Sequence, residues 1–323
     1  MTVLPDFRLI RPGSLDEAVA ALMAEGAVPV AGATDLLPNL RRGLGRPRAL
    51  VDLTAIPAFS AIEERAQDWR IGAGVTLSAL AEHQALRQAA PVIAEAALAV
   101  AGPTHRAAAT LGGNLCQDTR CLFYNQSEWW RSGNQYCLKY QGQQCHVAPR
   151  TARCFATYRG DLAPALMVLG AQAELAGPQG SRLLPLADLF QDNGADHLTL
   201  QPGEIVAAIL VPKQSGVKSG YAKIRIRDAI DFPLVAVAAA LARTGDSLTG
   251  LRIALTATNS APLPVALDGL TLDSWNDQAA RQVADRVNKT AKLQNTTMVG
   301  MKYRRRVLLA ATRRLIGGLW DQG

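Results

Sequence analysis

The stretch VPVAGATDLLPN, Val28 to Asn39, sets the reading of the chain. A short apolar strand, Val28 to Ala31, runs into Gly32-Ala33-Thr34-Asp35. A helix then spans Leu36 to Arg42 and is ended by Gly43. In that order of strand, turn and helix, backbone N–H groups at the turn face outward and can bind an anion, typically a diphosphate. Small side chains let a ligand approach the backbone closely. The stretch is neither a G-x-G-x-x-G fingerprint nor a G-x-x-x-x-G-K-[ST] loop. Taken alone, an ordinary strand–helix turn is the simpler reading.

Working outward, Ser14 and Glu17 form a capping-box pattern ahead of a helix with Leu15, Ala18, Val19, Leu22 and Met23 on one face, stopped by Gly26. Ala49 to Leu53 reads as a further strand. The first 55 or so residues are therefore an αβαβ unit. A second region starts near Pro57. It holds a strand at Trp69 to Gly74, a helix capped by Thr76, and helical sequence from Gln84 to Ala101 punctured by Pro91. Gly102 to Gly113 lacks helical periodicity. Regular structure resumes at Leu162 to Glu174, and Val211 to Gly220 reads as a linker. Beyond it lie strand candidates Tyr221 to Arg227, Val235 to Arg243 (also compatible with a helix) and Leu251 to Ala257. Helices are expected over Asp277 to Lys292 and Gly300 to Leu319.

A chain of 323 residues has room for two or three cores. Its 49% hydrophobic and 19% charged content reads as globular. No apolar run approaches a membrane span, and MTVLPDFRLIRPGS shows no export signal, so a cytoplasmic protein is expected. The net charge of +7 is dispersed apart from Lys302 to Arg306, Arg313 and Arg314. These fit a solvated face of the last helix, or one meeting an acidic partner; nucleic-acid binding would want more patches and interleaved aromatics.

A second glycine-bearing turn, TLGGNLCQD, covers Thr110 to Asp118. Gly112 and Gly113 permit a backbone conformation closed to other residues, and Asn114 offers a donor and an acceptor to a ligand. Two such turns on separate units suggest one extended dinucleotide between them. The chain's five cysteines then fall in a single window: Cys116-x4-Cys121-x15-Cys137-x7-Cys145-x8-Cys154. An odd count in a reducing compartment argues against disulfides and for a metal. Neither the close C-x2–4-C pairs of structural zinc nor the C-x2-C-x2-C of bacterial ferredoxins occurs, so spacing supports metal without choosing between zinc and 4Fe–4S. Cys121 to Cys154 reads as an insertion packed around that centre, because its apolar content alone would not order it. His146 is assigned a supporting place beside Cys145. His105 is given a structural hydrogen-bonding role, and no catalytic triad or carboxylate pair stands out.

PVAGATDLLPNLRRG followed by ATLGGNLCQD, with SGYAKIRIRDAIDFP later, resembles the flavin-binding subunits of the molybdenum hydroxylases. The insertion, with CLFYNQSEWWRSGNQYC, is similar to the 4-hydroxybenzoyl-CoA reductase branch of that family. The resemblance implies a mixed α/β fold: a vanillyl-alcohol-oxidase-type FAD-binding domain of two subdomains, plus a C-terminal α/β domain like that of the carbon monoxide dehydrogenase flavoprotein. The division would be 1–55, 56–213 with the insertion at about 119–158, and 217–323. It implies that Pro29, Val30, Ala31, Gly32, Ala33, Thr34, Asp35 and Leu36 wrap the FAD diphosphate. Thr110, Gly113, Asn114 and Gln117 would form the second FAD loop, and Asp161 and Lys223 would add contacts. Cys121, Cys137, Cys145 and Cys154 would ligate a 4Fe–4S cluster, with Cys116 left out.

The partners implied are a molybdenum-cofactor large subunit and a 2Fe–2S small subunit, in a heterohexamer of two heterotrimers, with ferredoxin as electron donor. Electrons would pass through this chain towards molybdenum, where 4-hydroxybenzoyl-CoA becomes benzoyl-CoA; no catalytic residue is expected here. The alternatives are the flavin subunit of another molybdenum hydroxylase whose cysteines bind zinc or nothing, and a zinc-stabilised interaction protein without redox work.

Overall fold

The computed structural model describes residues 4–270, 272–295 and 299–322. The chain begins with β1 (Arg8–Ile10), α1 (Leu15–Leu22), β2 (Ala27–Val30), α2 (Leu36–Arg41) and β3 (Ala49–Asp52). The three strands form a parallel sheet in the order β1-β3-β2. The capping pattern forms: Ser14 Oγ accepts from Glu17 N at 3.2 Å, and the Glu17 carboxylate accepts from Gly13 N at 2.7 Å. Gly43 follows the C-cap of α2 at φ +72°; α1 stops earlier than the sequence suggests, at Leu22 with Met23 as its cap, and Gly26 at φ +74° instead turns the chain into β2. β1 adds a strand that the αβαβ reading lacks; three residues with exposed Arg8 and Leu9 give no period to read.

The second region contributes β4 (Ile62–Glu64), β5 (Asp68–Gly72), α3 (Leu77–Glu82), α4 (Gln84–Ala89) and α5 (Pro91–Ala99). Thr76 caps α3 by accepting from Ala79 N at 3.2 Å. Gly102 to Gly113 is helical after all, as α6 (Pro103–Ala108) and α7 (Leu111–Leu115). Each is under two turns, too short for periodicity to register, and Thr110 Oγ1 caps α7 through Gly113 N at 3.1 Å.

The insertion opens next. Arg120 and Thr157 exchange backbone hydrogen bonds of 2.8 and 2.7 Å, which close its neck. Within it, α8 (Glu128–Gly133) is the one helix. Polar anchors hold it against the body: Arg131, 2% exposed, donates to Gly43 O at 2.8 Å, and Arg153 pairs with Asp192 at 2.9 Å.

After the neck come α9 (Leu162–Val168), β6 (Gln172–Gly177), β7 (Gly180–Pro185) and β8 (Ile205–Pro212). They complete an antiparallel sheet ordered β4-β5-β8-β6-β7. β8 and β9 (Val217–Ile224) consume most of the expected linker, leaving Lys213 to Gly216. β10 (Val235–Thr244), β11 (Ser247–Thr256) and β12 (Leu263–Pro264) pair with β9 in the antiparallel order β12-β11-β10-β9, followed by α10 (Asp277–Thr290) and α11 (Met301–Asp321).

β10 explains its own ambiguous pattern. Ala238 and Ala240 enter one apolar core, while Val235, Val237, Ala239 and Leu241 enter a second one beneath α10 and α11. A strand buried on both faces shows no alternation. The basic run on α11 is only partly a solvated face. Arg304 is 1% exposed and donates to the carbonyls of Leu234 (2.8 and 3.1 Å), Ala257 (2.5 Å) and Gln294. No helix among the described residues is long and apolar enough to cross a membrane.

Candidate cofactor sites

Two glycine-bearing segments meet at one cavity of about 480 Å³. Its wall includes Pro29, Val30, Ala31, Gly32, Ala33, Thr34, Asp35 and Leu36 from the β2–α2 turn. Thr110, Gly112, Gly113, Cys116, Gln117 and Asp118 contribute from the other side. The segments touch at Gly32, where an added Cβ would lie 1.9 Å from Ala108 O. Ala33 holds φ +57°, an uncommon conformation for a residue with a side chain. The N–H groups of Gly32, Ala33 and Thr34 lie outside any helix or strand and donate to no protein acceptor among the described residues. Gln117 Nε2 is buried and unpartnered as well. Unfilled backbone donors and an orphaned amide suit a ligand with a diphosphate and polar heterocycles.

The glycines of the second segment act differently from the sequence expectation. Neither has a positive φ. They are small because the backbone is crowded: a Cβ on Gly112 would sit 2.8 Å from Ala73 Cβ, and one on Gly113 3.0 Å from Thr110 Oγ1.

Three expected contact residues stand outside this cavity wall. Asn114 turns its Oδ1 to Leu162 N at 3.0 Å, fixing the start of α9. Asp161 and Lys223 form a buried ion pair at 3.1 Å, with side chains 4% and 5% exposed. Tyr221 OH donates to Asp161 at 2.6 Å, and Lys223 also donates to Ala99 O at 2.8 Å. Burial pushes the Asp161 carboxyl up and the Lys223 ammonium down, while each partner's charge resists the change. The sequence reading missed the apolar wall of Leu44, Leu53, Phe59, Leu198 and Leu200, which carries no motif. It also missed His197, whose ring Nε2 meets Gln117 O at 3.0 Å. Burial, with Lys139 nearby, lowers His197 to about 4, so the ring is neutral and donates through Nε2.

The cysteines divide. Cys116 lines the first cavity, and burial raises its thiol to about 12. Cys121, Cys137, Cys145 and Cys154 line a second, small enclosed cavity with Phe123, Tyr124, Lys139 and His146. All five are free thiols. Burial is the first cause raising Cys121 and Cys154, the latter to about 11. Ionised Cys137 and Cys145 would raise Cys121 further, and ionised Cys145 and Cys121 would raise Cys154. Ala156 N donates to Cys154 Sγ at 3.3 Å. His146 spends Nε2 on Tyr136 O at 2.5 Å and stacks near Phe123, a bracing role.

Among the described residues, no group of three or more His, Cys, Asp or Glu is arranged to hold a metal ion. Cys121, Cys137, Cys145 and Cys154 line a cavity of about 10 Å³. Four thiol donors from one folded segment are the ligand type of both structural zinc and iron–sulfur centres.

Two ion pairs tie the insertion to the first cavity's wall, and the second of them also reaches the cysteine cavity. Arg120, next to Cys121, pairs with Asp35 and donates to Asn39 Oδ1 at 2.7 Å. Lys139 pairs with Asp118 at 2.6 Å, and Asp118 N donates to Asp35 Oδ2 at 3.1 Å.

Residues 5–214 match the family model described as the FAD binding domain in molybdopterin dehydrogenase. The aldehyde oxidoreductase FAD-binding subunit PaoB of Escherichia coli K12 is 32% identical over 274 residues, 82% of this chain and 81% of that one. The carbon monoxide dehydrogenase medium chain of Afipia carboxidovorans is 30% identical over 317 residues, 94% and 96% of the two chains. Among solved structures, reconstituted CO dehydrogenase from Oligotropha carboxidovorans superposes with a TM-score of 0.82 at 25% identity, covering 99% of this chain and 100% of that one.

Proposed function

Since the chain belongs to the family of FAD-binding domains of molybdopterin dehydrogenases, we propose that it carries a 4Fe–4S cluster beside its FAD and feeds electrons to a molybdenum-bearing partner. The observation behind this reading is that one insertion gathers Cys121, Cys137, Cys145 and Cys154 around a single enclosed cavity. That cavity is linked by Lys139–Asp118 to the wall of the FAD cavity.

FAD, when bound, exchanges one or two electrons, and a 4Fe–4S cluster exchanges one. This chain's residues hold and shield them. Gly32, Ala33 and Thr34 offer free N–H groups to the diphosphate, and Gln117 offers its unpartnered amide. His197, neutral, fixes Gln117 through its carbonyl. Cys121, Cys137, Cys145 and Cys154 would hold the cluster as thiolates, giving up their protons on binding. Phe123, Tyr124 and His146 exclude water around them. Asp161 and Lys223 neutralise one another and lock β9 onto the body.

The insertion's likeness to the 4-hydroxybenzoyl-CoA reductases supports a finer reading. With ferredoxin as donor, and with 2Fe–2S and molybdenum subunits as partners, two electrons and two protons convert 4-hydroxybenzoyl-CoA to benzoyl-CoA and water. The test is turnover by the purified complex under anaerobic conditions with reduced ferredoxin. Benzoyl-CoA formation supports the assignment. A complex that oxidises xanthine, an aldehyde or carbon monoxide and leaves 4-hydroxybenzoyl-CoA untouched rejects it.

A further inference from the structure

Among the described residues, Lys139 is the one Lys or Arg lining the four-cysteine cavity. Its side chain is 5% exposed. All three ammonium donors are engaged: Asp118 Oδ1 at 2.6 Å, Thr119 O at 3.0 Å, and Thr119 Oγ1. The Tyr124 ring centroid lies 4.6 Å from Nζ. A fully engaged ammonium has no donor left for a sulfur. It acts on the cavity through its charge alone, in a dry setting where charge carries further than in water. Its counter-charge, Asp118, belongs to the other cavity's wall and is about a third exposed, at 32%.

Resting on the reading of the cysteines as a cluster site, we propose that Lys139 is a positioning residue for electron transfer. Its buried charge raises the reduction potential of the centre held by the four cysteines, and Asp118 sets how much of that charge is felt. Reduction adds one electron, hence one negative charge, to the centre; no bond forms or breaks. A fixed cation beside it favours the reduced state. A carboxylate beside the cation offsets that preference.

The two members of the pair therefore move the centre in opposite directions, which a purely structural brace would not do. The experiment is an EPR-monitored titration of the complete, FAD-loaded complex with dithionite and mediators, with iron and FAD quantified on each sample. Lys139→Met is expected to keep its iron and lower the reduced-to-oxidised ratio at fixed potential roughly tenfold, about 59 mV for a one-electron couple. Asp118→Asn is expected to shift the ratio upward. Lys139→Arg, which keeps the charge, is expected to stay near wild type. It and Asp118→Asn carry the test if Lys139→Met does not fold.

Unchanged potentials, or shifts of the same sign in Lys139→Met and Asp118→Asn, overturn the proposal. So does loss of iron from both, which would make the pair a brace only. A wild-type complex with FAD and no iron would instead reject the cluster reading beneath it, a separate and visible outcome.

Discussion

Gly32 is where the two segments lining the larger cavity press together, and Gly32→Ala probes that contact with one added carbon. Its Cβ would lie 1.9 Å from Ala108 O, 2.6 Å from Ala108 C and 3.0 Å from Ala109 Cα. All three are backbone atoms, so no side chain can swing aside. Restoring ordinary contact at 3.4 Å requires the segments to part by about 1.5 Å. Overpacking of this kind costs about 1–3 kcal/mol. Because both segments line the cavity proposed to hold FAD, the strain falls on the cradle itself. At about 1.4 kcal/mol per decade, FAD affinity should fall roughly 5- to 150-fold. Fluorescence titration of deflavinated protein with FAD reads this directly, with thermal unfolding of both proteins recorded alongside. Gly133→Ala is the control, since a Cβ there meets nothing within 4 Å. A Gly32→Ala protein that binds FAD as tightly as wild type would refute the close-approach reasoning.

Other perturbations address other parts of the site. Cys137→Ser should remove most of the iron while FAD stays bound, because the FAD cavity is walled by other residues; iron assay against flavin absorbance decides it, and unchanged iron would remove Cys137 from the ligand set. His197 is held neutral, so its stabilising contribution is complete above its unfolded pKa near 6.5 and is lost as pH falls towards about 4. Urea denaturation at pH 7 and pH 4.5 should differ by up to roughly 3 kcal/mol from this group, and His197→Gln should flatten that pH dependence. Asp161→Ala strands the Lys223 ammonium at 5% exposure and should cost about 3–5 kcal/mol, most of it recovered when Lys223→Met is added. A loss below about 1 kcal/mol in the single variant would mean that the pair is hydrated.

Much of this was legible in the sequence because local signals and tertiary context agree. Ser14, Thr76 and Gly43 mark element ends through their own hydrogen bonds or backbone angles, and those ends form where the residues stand. The β2–α2 turn was found for the same reason. Signals failed where the deciding partner is remote in sequence. Gly112 is small because Ala73 lies against it, and Asn114 Oδ1 accepts from Leu162 N, 48 residues further on. Arg304 looks like one more cation on a basic helix, yet three backbone carbonyls from elsewhere bury it. Lys139 and His197 sit in no motif, and only folding brings them to Asp118 and Gln117. The cysteine window showed five thiols close in sequence; that four of them line one cavity while Cys116 lines another depends on the path of the insertion.

The most direct measurement is the content of iron, acid-labile sulfide, zinc and FAD in protein purified without oxygen. About four irons, about four sulfides and about one FAD per chain, with an EPR signal on reduction, is the expected result. Flavin-loaded protein carrying zinc or no metal at Cys121, Cys137, Cys145 and Cys154 would contradict it.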